Sequence, residues 1–590
     1  MATRREVMEE VFTLYVTAQA VVSELQDDAS RAKAIERFHR SGVRRVILEG
    51  YRGGLVVEEA MLAETRDFFE AEGFETLGGV MPVWGEGFGK QGEGIEVRGP
   101  FFCYSDEATV AALEAVIRTL ARVFGEVVVD DGFLTACRCS VCQEHCADGD
   151  WFGFRRDLLC AVAERWVRAA HEEKARCRVT VKFPQYYDRY QRFGYDAARF
   201  PAIFDAVWVG TETRDPTTHD YGYVEPYQGY FNARWMKACA GKKFEAAWFD
   251  YLDCDEQLFY DQGVTTFLGA PRDVTVFCYG EELFGGSKMA RLSRSARLLA
   301  RLRDIAVEPW GVHVYKPPNA DGGRDLFIFD YLGMLGIPCV PVTQIEAGMR
   351  TVFVPEHGAR EPETKDRIRD ILALGGNVIV TFNTLHRMVN HPDFLDMFGY
   401  DYSGVVRTVV PAEQFGCGRE RRVSERPVHL AGDLAPYAAS VRAWGCLTGV
   451  ERGSMCVPLL TEKTYSSGGK ALVWNIGTFG HDAFTVREQL NVPKKTDLFG
   501  LPKDLVNLLR STATEALGIT IEVPGQVASF LFEQHLVLVN YSPETRDVHT
   551  QGIHPVADTF FSDSANSICL GDDFILAPHS FAAVAIRARR

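Results

Sequence analysis

The 590-residue chain has no excess of positive charge. It contains 64 Lys and Arg against 80 Asp and Glu, which gives a net charge of -16. Because the neutralisation of phosphates requires a basic surface, this balance disfavours a nucleic-acid-binding protein. No apolar run reaches the roughly 18 residues of a membrane-spanning helix, so we expect no membrane span. The composition fits a globular protein that acts on a neutral small molecule or a sugar.

Signs of export are also missing. The 15 cysteines are odd in number and scattered through apolar segments, which disfavours a disulfide framework. The first ten residues are charged and lead into a strand-like run, so we predict no signal peptide. We therefore expect a cytoplasmic protein in which most cysteines are small buried apolar side chains.

Short apolar runs alternate with helical stretches over roughly the first half of the chain, a pattern typical of α/β folds. Eight such runs predict a (β/α)8 TIM barrel over residues 1–305. An open doubly wound sheet is the alternative, but each run ends in polar or aromatic residues, as expected at the mouth of a ring. The runs are 11–18, 43–50, 77–84, 125–131, 177–184, 204–212, 244–251 and 274–282.

A second pattern starts after the barrel. Strand-like and helical segments predict a smaller α/β domain with a parallel sheet over residues 306–515. Paired glycines at 375–376 favour the end of a helix just before the strand that starts at residue 377. From residue 516 to residue 590, strand-like runs alternate with turns and predict a small C-terminal β-sandwich.

One cysteine cluster stands out from the scattered ones. Cys137, Cys139 and Cys142 form a C-x-C-x-x-C motif, which is dense enough to favour a metal site over free thiols in a loop. A tetrahedral structural zinc ion needs a fourth ligand. Cys103 precedes the helix that leads into the neighbouring strand and is the favoured fourth ligand. Cys146 is the alternative, although it would make a cramped loop.

Carboxylates follow the predicted strands at several points. Asp130 and Asp131 end the fourth strand, Glu212 follows the sixth, and Asp250 ends the seventh. An isolated acid is usually an ion-pair partner or a helix cap, but several acids at the carboxyl ends of barrel strands favour catalysis. Hydrolysis of a glycoside needs two carboxyl groups that face each other across the bond. Asp131 is the favoured proton donor, with Asp130 orienting it or holding a sugar hydroxyl.

Aromatic and polar residues lie near the same strand ends. Sugar rings stack on aromatic faces, so these residues predict a carbohydrate cleft, although core packing is the alternative for the aromatic ones. The candidate substrate contacts are Glu49, Arg52, Trp84, Lys182, Tyr186, Trp208, Arg214, His219, Trp248 and Glu281.

The layout resembles glycoside hydrolase family 42, the β-galactosidases of clan A. The motifs that carry this resemblance are FFCYSDEATV at residues 101–110 and DDGFLTACRCSVC at residues 130–142. The family joins a barrel to an amidotransferase-like trimerisation domain and a small β domain. The resemblance implies a homotrimer and a zinc ion bound by Cys103, Cys137, Cys139 and Cys142.

The resemblance also implies catalytic roles. It places the acid/base at Asp131, where the family has Asn-Glu and this chain has Asp-Asp. It places the nucleophile near Asp250, where the family has glutamate. Because aspartate is one methylene shorter, the gap between the two acids would widen and could admit a water, which would give inversion.

The favoured prediction is therefore a β galactosidase-like glycoside hydrolase that cleaves a short glycoside or oligosaccharide. Asp131 would be its acid/base, and Asp250 its nucleophile or base. The alternatives are a non-catalytic carbohydrate-binding barrel and an inverting glycosidase that uses Glu212. A metal-dependent hydrolase or lyase is a further alternative, which the lack of a strand-end His-x-His pair disfavours.

Overall fold

The computed structural model divides the chain into two compact units. The first contains most of residues 11–304, and the second contains most of residues 305–587 together with 225–231. The residues that the structure describes are 11–94, 97, 99–214, 225–406, 410–417, 420–436, 441–448, 456–476 and 498–587.

Eight parallel strands form a closed barrel in the first unit. Their order around the barrel follows the chain, and the first strand pairs with both the second and the eighth. This closure confirms the predicted TIM barrel over the open sheet. The strands are β1 (Phe12–Val16), β2 (Val43–Arg52), β3 (Glu75–Met81), β4 (Glu126–Val129), β5 (Arg178–Phe183), β6 (Ala206–Gly210), β7 (Phe244–Asp250) and β8 (Asp273–Phe277).

Helices connect these strands, and α4 shows why they form. Asp106 caps its start, since the carboxylate accepts a hydrogen bond from the Thr109 amide at 2.9 Å. Val110, Leu113 and Ile117 recur at helical spacing and are buried, so one face packs inward. The helices are α1 (Ala18–Glu24), α2 (Asp28–Arg40), α3 (Glu59–Ala71), α4 (Glu107–Val123), α5 (Ser140–His145), α6 (Trp151–Glu173), α7 (Phe200–Ile203), α8 (Tyr227–Ala240), α9 (Glu256–Leu268), α10 (Glu281–Phe284), α11 (Lys288–Arg294) and α12 (Ala296–Ile305).

The amino-terminal end of the barrel is closed by ion pairs. Arg45 is 3.1 Å from Asp273, 3.4 Å from Glu126 and 3.0 Å from Glu75. Apolar side chains fill the interior above this network. Residues at this end of a TIM barrel serve stability, which leaves the carboxyl-terminal end for chemistry.

The second unit starts with a mixed sheet. Its first five strands in sheet order, β10-β9-β11-β12-β17, pair in parallel, and four antiparallel strands extend it in the order β16-β15-β13-β14. The predicted parallel sheet is present, with its returning strand at Lys470–Trp474. The strands are β9 (Val312–Tyr315), β10 (Cys339–Val342), β11 (Thr351–Val354), β12 (Asn377–Thr381), β13 (Val410–Cys417), β14 (Glu420–Leu430), β15 (Val441–Thr448), β16 (Cys456–Thr464) and β17 (Lys470–Trp474).

Five helices accompany this sheet: α13 (Ile328–Met334), α14 (Thr364–Ala373), α15 (Phe382–Arg387), α16 (Pro392–Phe398) and α17 (Lys503–Thr514). Gly375 has a φ of +85° between α14 and β12, which fits the predicted glycine helix end. The amidotransferase-like character of this region and its bounds, 306–515, stay predictions.

The chain ends in two four-stranded antiparallel sheets, in agreement with the predicted C-terminal β domain. One has the order β18-β21-β24-β23 and the other β19-β20-β25-β22. The strands are β18 (Thr520–Glu522), β19 (Val527–Leu531), β20 (His535–Asn540), β21 (Arg546–Gln551), β22 (Phe561–Ser562), β23 (Ile568–Leu570), β24 (Asp573–Leu576) and β25 (Ser580–Ala585). None of the described helices is long and apolar enough to span a membrane.

Candidate active site and cysteine cluster

The carboxyl ends of the barrel strands bring together most of the predicted polar residues. Asp130 and Asp131 directly follow β4, Glu212 comes two residues after β6, and Asp250 is the last residue of β7. Because all eight strands are parallel and the barrel is closed, these side chains share one mouth.

Lys182, on β5, lies at the centre of this group. Its Nζ donates hydrogen bonds to Asp131 Oδ2 and Glu212 Oε1, both at 2.7 Å, and lies 3.6 Å from Asp130 Oδ1. The Nζ atom is also 4.2 Å from the centre of the Trp248 ring. Burial opposes its charge, but the surrounding acids outweigh burial and raise the pKa of Lys182, so the ammonium stays charged.

The shared lysine fixes how far apart two of the acids are. Asp131 Oδ2 and Glu212 Oε1 are no more than about 5.4 Å apart, since each is 2.7 Å from the same nitrogen. That limit is compatible with the separation of about 5–5.5 Å between the two carboxyl groups of retaining glycosidases.

Glu212 is 2% exposed, and its two oxygens differ in their hydrogen bonding. Oε1 accepts from Lys182, whereas no hydrogen-bond partner for Oε2 occurs among the described residues. A Cβ at Gly210 would lie 2.2 Å from Oε2, so glycine leaves the space that this carboxylate occupies. Burial, followed by the charges of Asp250 and Asp131, raises the pKa of Glu212, and Lys182 opposes the shift.

Asp130 lies deeper than its neighbour. It is 2% exposed, whereas the side chain of Asp131 is 23% exposed. Its Oδ1 accepts from the Asp131 amide at 2.7 Å, and Arg52 lies 3.4 Å from Oδ2. Burial and the charge of Asp131 raise the pKa of Asp130 to about 7. Asp130 thus supports the backbone that carries Asp131.

Arg52 connects Asp130 to a second buried acid. Its guanidinium donates to both oxygens of Glu49, at 2.8 and 2.9 Å. The Tyr15 hydroxyl donates to Glu49 Oε1 at 2.5 Å, and the Ala18 amide donates to Oε2 at 2.6 Å. Glu49 is therefore fully hydrogen-bonded within the protein.

Asp250 is also held on both oxygens. Arg214 donates to Oδ2, and the Leu252 amide donates to Oδ1 at 3.0 Å. Burial raises the pKa of Asp250, and the Arg214 charge opposes this shift.

The predicted aromatic contacts divide into two groups. Trp248 faces the ammonium of Lys182, Tyr186 is buried near Asp131, and Trp84 is half-buried in the loop after β3. Trp208 and Trp248 are both buried in the barrel core, but Trp208 has the Arg45 guanidinium 5.9 Å from its ring. The strand register pairs Trp248 with Gly210 but Trp208 with Ala246, which puts Trp208 one layer closer to the amino-terminal end.

Two other predicted contacts do not join the acid cluster. Glu281 is exposed on α10 and pairs with Arg37 of α2 at 2.5 Å, because it starts a helix that packs on the outside of the barrel. His219 lies outside the described residues.

Two tyrosines near the site were missed at the sequence level. Tyr15 is the residue before the last in β1 and could have been recognised by its polar tip near a strand end. Tyr195, whose hydroxyl donates to the Asp131 carbonyl at 2.6 Å, lies in a loop without periodicity that would mark it.

The four predicted cysteines form one buried cluster. Their sulfur atoms all lie within 4.8 Å of one another, and Cys146 is not part of the group. The Cys103–Cys139, Cys103–Cys142 and Cys139–Cys142 sulfur distances are 3.8, 3.7 and 3.7 Å. A tetrahedron with zinc–sulfur bonds of about 2.3 Å has edges of about 3.8 Å, so the donor set fits a structural zinc ion.

Comparisons with known proteins agree with this architecture. Residues 2–295 match the family model described as "Probable glycosyl hydrolase, catalytic domain". An uncharacterized protein of Saccharolobus solfataricus is 23% identical over 412 residues, which cover 64% of this chain and 66% of that protein.

Solved structures share the whole fold at low identity. A β-galactosidase from Bacillus circulans sp. alkalophilus has a TM-score of 0.64 at 10% identity over 99% of this chain and 100% of its own. A catalytic mutant of Gan42B, a GH42 β-galactosidase from G. stearothermophilus, has a TM-score of 0.63 at 11% identity over 98% of both chains. The α-L-fucosidase isoenzyme 2 from Paenibacillus thiaminolyticus has a TM-score of 0.61 at 12% identity over 99% of this chain and 100% of its own.

The family match and the barrel with acids at its carboxyl-terminal end define a glycoside hydrolase. Across the whole chain, the fold is shared with β-galactosidase structures, one of them from glycoside hydrolase family 42.

Proposed function

We propose that the chain hydrolyses a short glycoside or oligosaccharide at the barrel mouth, with Asp131 and Glu212 as the two catalytic carboxyl groups. The observation that carries this proposal is the shared contact with Lys182, which holds both acids 2.7 Å from one nitrogen. Their spacing supports a retaining mechanism.

The exposure of the two acids supports a division of roles. Asp131 is partly exposed and follows β4, so it can reach the leaving group and later a water molecule. In the first step Glu212 attacks the anomeric carbon while the bond to the glycosidic oxygen breaks, and Asp131 protonates that oxygen so that the alcohol leaves. In the second step Asp131 removes a proton from the water that releases the sugar.

Asp250, which the family resemblance implies as nucleophile, stays the alternative second carboxylate. Arg214 and the Leu252 amide occupy its oxygens, so attack by Asp250 would require the loss of one of these contacts. Glu212 has an oxygen without such a contact, which favours it.

The substrate is a carbohydrate, for which we propose a β-galactoside-like glycoside as the first candidate. The similar structures include both β-galactosidases and an α-L-fucosidase, so the panel of sugars should cover both configurations. A non-catalytic carbohydrate-binding barrel is the second candidate, because the charged acids of the mouth are paired with Arg52, Lys182 and Arg214.

Zinc would be held by Cys103, Cys137, Cys139 and Cys142. Four thiolates leave no open position, so the ion would stabilise the loop after Asp131 and take no part in bond cleavage. The described cysteines form no disulfide, which supports a reducing, cytoplasmic location.

Substitution of each acid tests the proposal. Asp131→Asn should lower the turnover of alkyl glycosides by about 10²–10⁴-fold but should keep much of the rate of bond cleavage on activated aryl glycosides, whose leaving groups need little protonation. Glu212→Gln should lose activity on both substrates, and Asp250→Asn should retain more activity than Glu212→Gln.

Glu245→Gln is the matched control, because Glu245 is on β7 but near the amino-terminal end, where it pairs with Arg178 and Arg272. Full activity in Glu212→Gln with complete loss of activity in Asp250→Asn would show that Asp250 is the second catalytic carboxylate. Full activity in both Asp131→Asn and Glu212→Gln would contradict the proposal.

A further inference from the structure

Lys182 directs two of its donors to acids of the barrel mouth. An ammonium has three N–H groups. Two of them reach Asp131 and Glu212 at 2.7 Å, and the remaining sides of the nitrogen face Asp130 at 3.6 Å and the Trp248 ring at 4.2 Å. The side chain is 3% exposed. Lys182, which the sequence suggested as a substrate contact, therefore acts through the acids around it.

We infer that Lys182 is a positioning residue, whose ammonium fixes the separation of Asp131 and Glu212 and keeps the Glu212 carboxylate ionised for attack. This inference rests on the proposed function, because it assigns Lys182 a role in that same reaction. Trp248 supports the role, since its ring face holds the ammonium through a cation–π contact.

The charges that face Lys182 come from three strand ends. Asp130 and Asp131 follow β4, Glu212 follows β6, and Asp250 ends β7. The mouth has two other cations: Arg52 binds Glu49 and Asp130, and Arg214 binds Asp250 and also lowers the pKa of Glu212 through its charge. Removal of the lysine charge would leave Asp131 and Glu212 as two close carboxylates with no shared cation.

The direction of the expected change follows from these contacts. Burial raises the pKa of Glu212, and Lys182 opposes that rise. Without the lysine charge the pKa of Glu212 rises further, because a close cation that favours the ionised carboxylate is lost. Because a nucleophile must be ionised, the acidic limb of the kcat/KM profile should move to higher pH.

The test compares Lys182→Met and Lys182→Arg with Lys243→Met. Lys243 is a matched lysine whose Nζ donates to the Phe204 carbonyl at 2.8 Å, away from the acids of the mouth. In Lys182→Met the acidic limb of the kcat/KM profile should move to higher pH by about one unit or more. KM should change less than kcat. In Lys182→Arg the acidic limb should lie close to its position in the unsubstituted protein, because arginine restores the positive charge. Lys243→Met should match the unsubstituted protein.

A folded fraction that stays constant over the pH range lowers the rate equally at every pH and leaves the position of the limb unchanged, so circular dichroism of Lys182→Met at each pH separates unfolding from titration. A raised KM with an unmoved limb would make Lys182 a substrate contact. An equal loss of rate at every pH with an unmoved limb would make its role purely structural. Either result overturns the inference.

Infrared titration of the carboxyl bands separates this inference from the proposed function, because it needs no substrate. The Glu212 band is the one that disappears in Glu212→Gln. If that band titrates at higher pH in Lys182→Met, the inference stands even where no tested glycoside is cleaved. If its titration is unchanged, the inference is wrong whatever the activity.

Discussion

Acids outnumber cations at the barrel mouth. Two negative charges in excess can be balanced by protons on buried carboxyl groups or by positive charge that develops on a sugar ring during cleavage. The acids are Glu49, Asp130, Asp131, Glu212 and Asp250, and the cations are Arg52, Lys182 and Arg214.

Asp130 should make the protein less stable as the pH rises. Its pKa is about 7 in the folded protein, whereas an unfolded aspartate has a pKa near 3.8. Between these values the folded state binds the proton and the unfolded state does not, so the free energy of unfolding falls with rising pH, by about 1.4 kcal/mol per pH unit at most. Asp130→Asn cannot ionise and should weaken this slope.

Urea denaturation from pH 4.5 to pH 8 measures the effect. Asp130→Asn should gain stability relative to the unsubstituted protein as the pH rises. Parallel pH slopes in the two proteins would show that Asp130 does not carry a proton in the folded state.

The sequence predicted which acids lie at the mouth but not which of them pair. Strand ends located Asp130, Asp131, Glu212 and Asp250 because the carboxyl ends of parallel strands meet. The bridge from Lys182 to both Asp131 and Glu212 depends on barrel register and on side-chain direction, which one sequence does not show. The same register explains why Trp248 reaches the mouth and Trp208 does not.

At the scale of elements, the segment between β4 and α6 depends on the cysteine cluster. Purified, reduced protein should contain about one zinc per chain, since four thiolates complete a tetrahedral site. Cys139→Ser should lose the ion and lower the thermal midpoint before it alters the preference between sugars. Elemental analysis and thermal denaturation check both expectations.

Cys160→Ser is the control, because Cys160 is a buried thiol on α6 outside the cluster. Absence of zinc from fresh protein would contradict the metal site. Equal loss of stability in Cys139→Ser and Cys160→Ser would show that the cluster stabilises the protein only through ordinary core packing.

Elements with local signals were predictable. The alternation of apolar runs and helices located the barrel strands, and the glycines at 375–376 marked the end of α14. The antiparallel strands from Val410 to Thr464 pair mainly with their neighbours in the chain, β13 with β14 and β15 with β16. The pairing of β13 with β15 passes over β14, and no local pattern in the sequence records that contact.

At the scale of the whole molecule, the family resemblance predicted more than the residues alone. The order of barrel, α/β region and terminal β sheets matches a β-galactosidase structure at 10% identity and a family 42 structure at 11% identity, because a fold tolerates changes in most side chains. The family's catalytic residues could not be assigned to this chain as firmly as its fold. The resemblance implies aspartates, Asp131 and Asp250, at positions where the family has glutamates.

The homotrimer implied by the resemblance stays a prediction. It rests on the family resemblance, because single exposed apolar side chains such as Leu374 and Tyr402 are also common on monomers. Light scattering should find about three times the 66.0 kDa monomer mass, and a monomer mass would contradict the prediction.

The stereochemistry of the first product tests the central claim most directly. We expect proton NMR during hydrolysis of an activated aryl glycoside to show a sugar that keeps its anomeric configuration before mutarotation, and we expect Glu212→Gln to form none. That result follows from two carboxyl groups no more than about 5.4 Å apart across the bond. An inverted first product, or a retained one formed equally fast by Glu212→Gln, would contradict the assignment of Asp131 and Glu212.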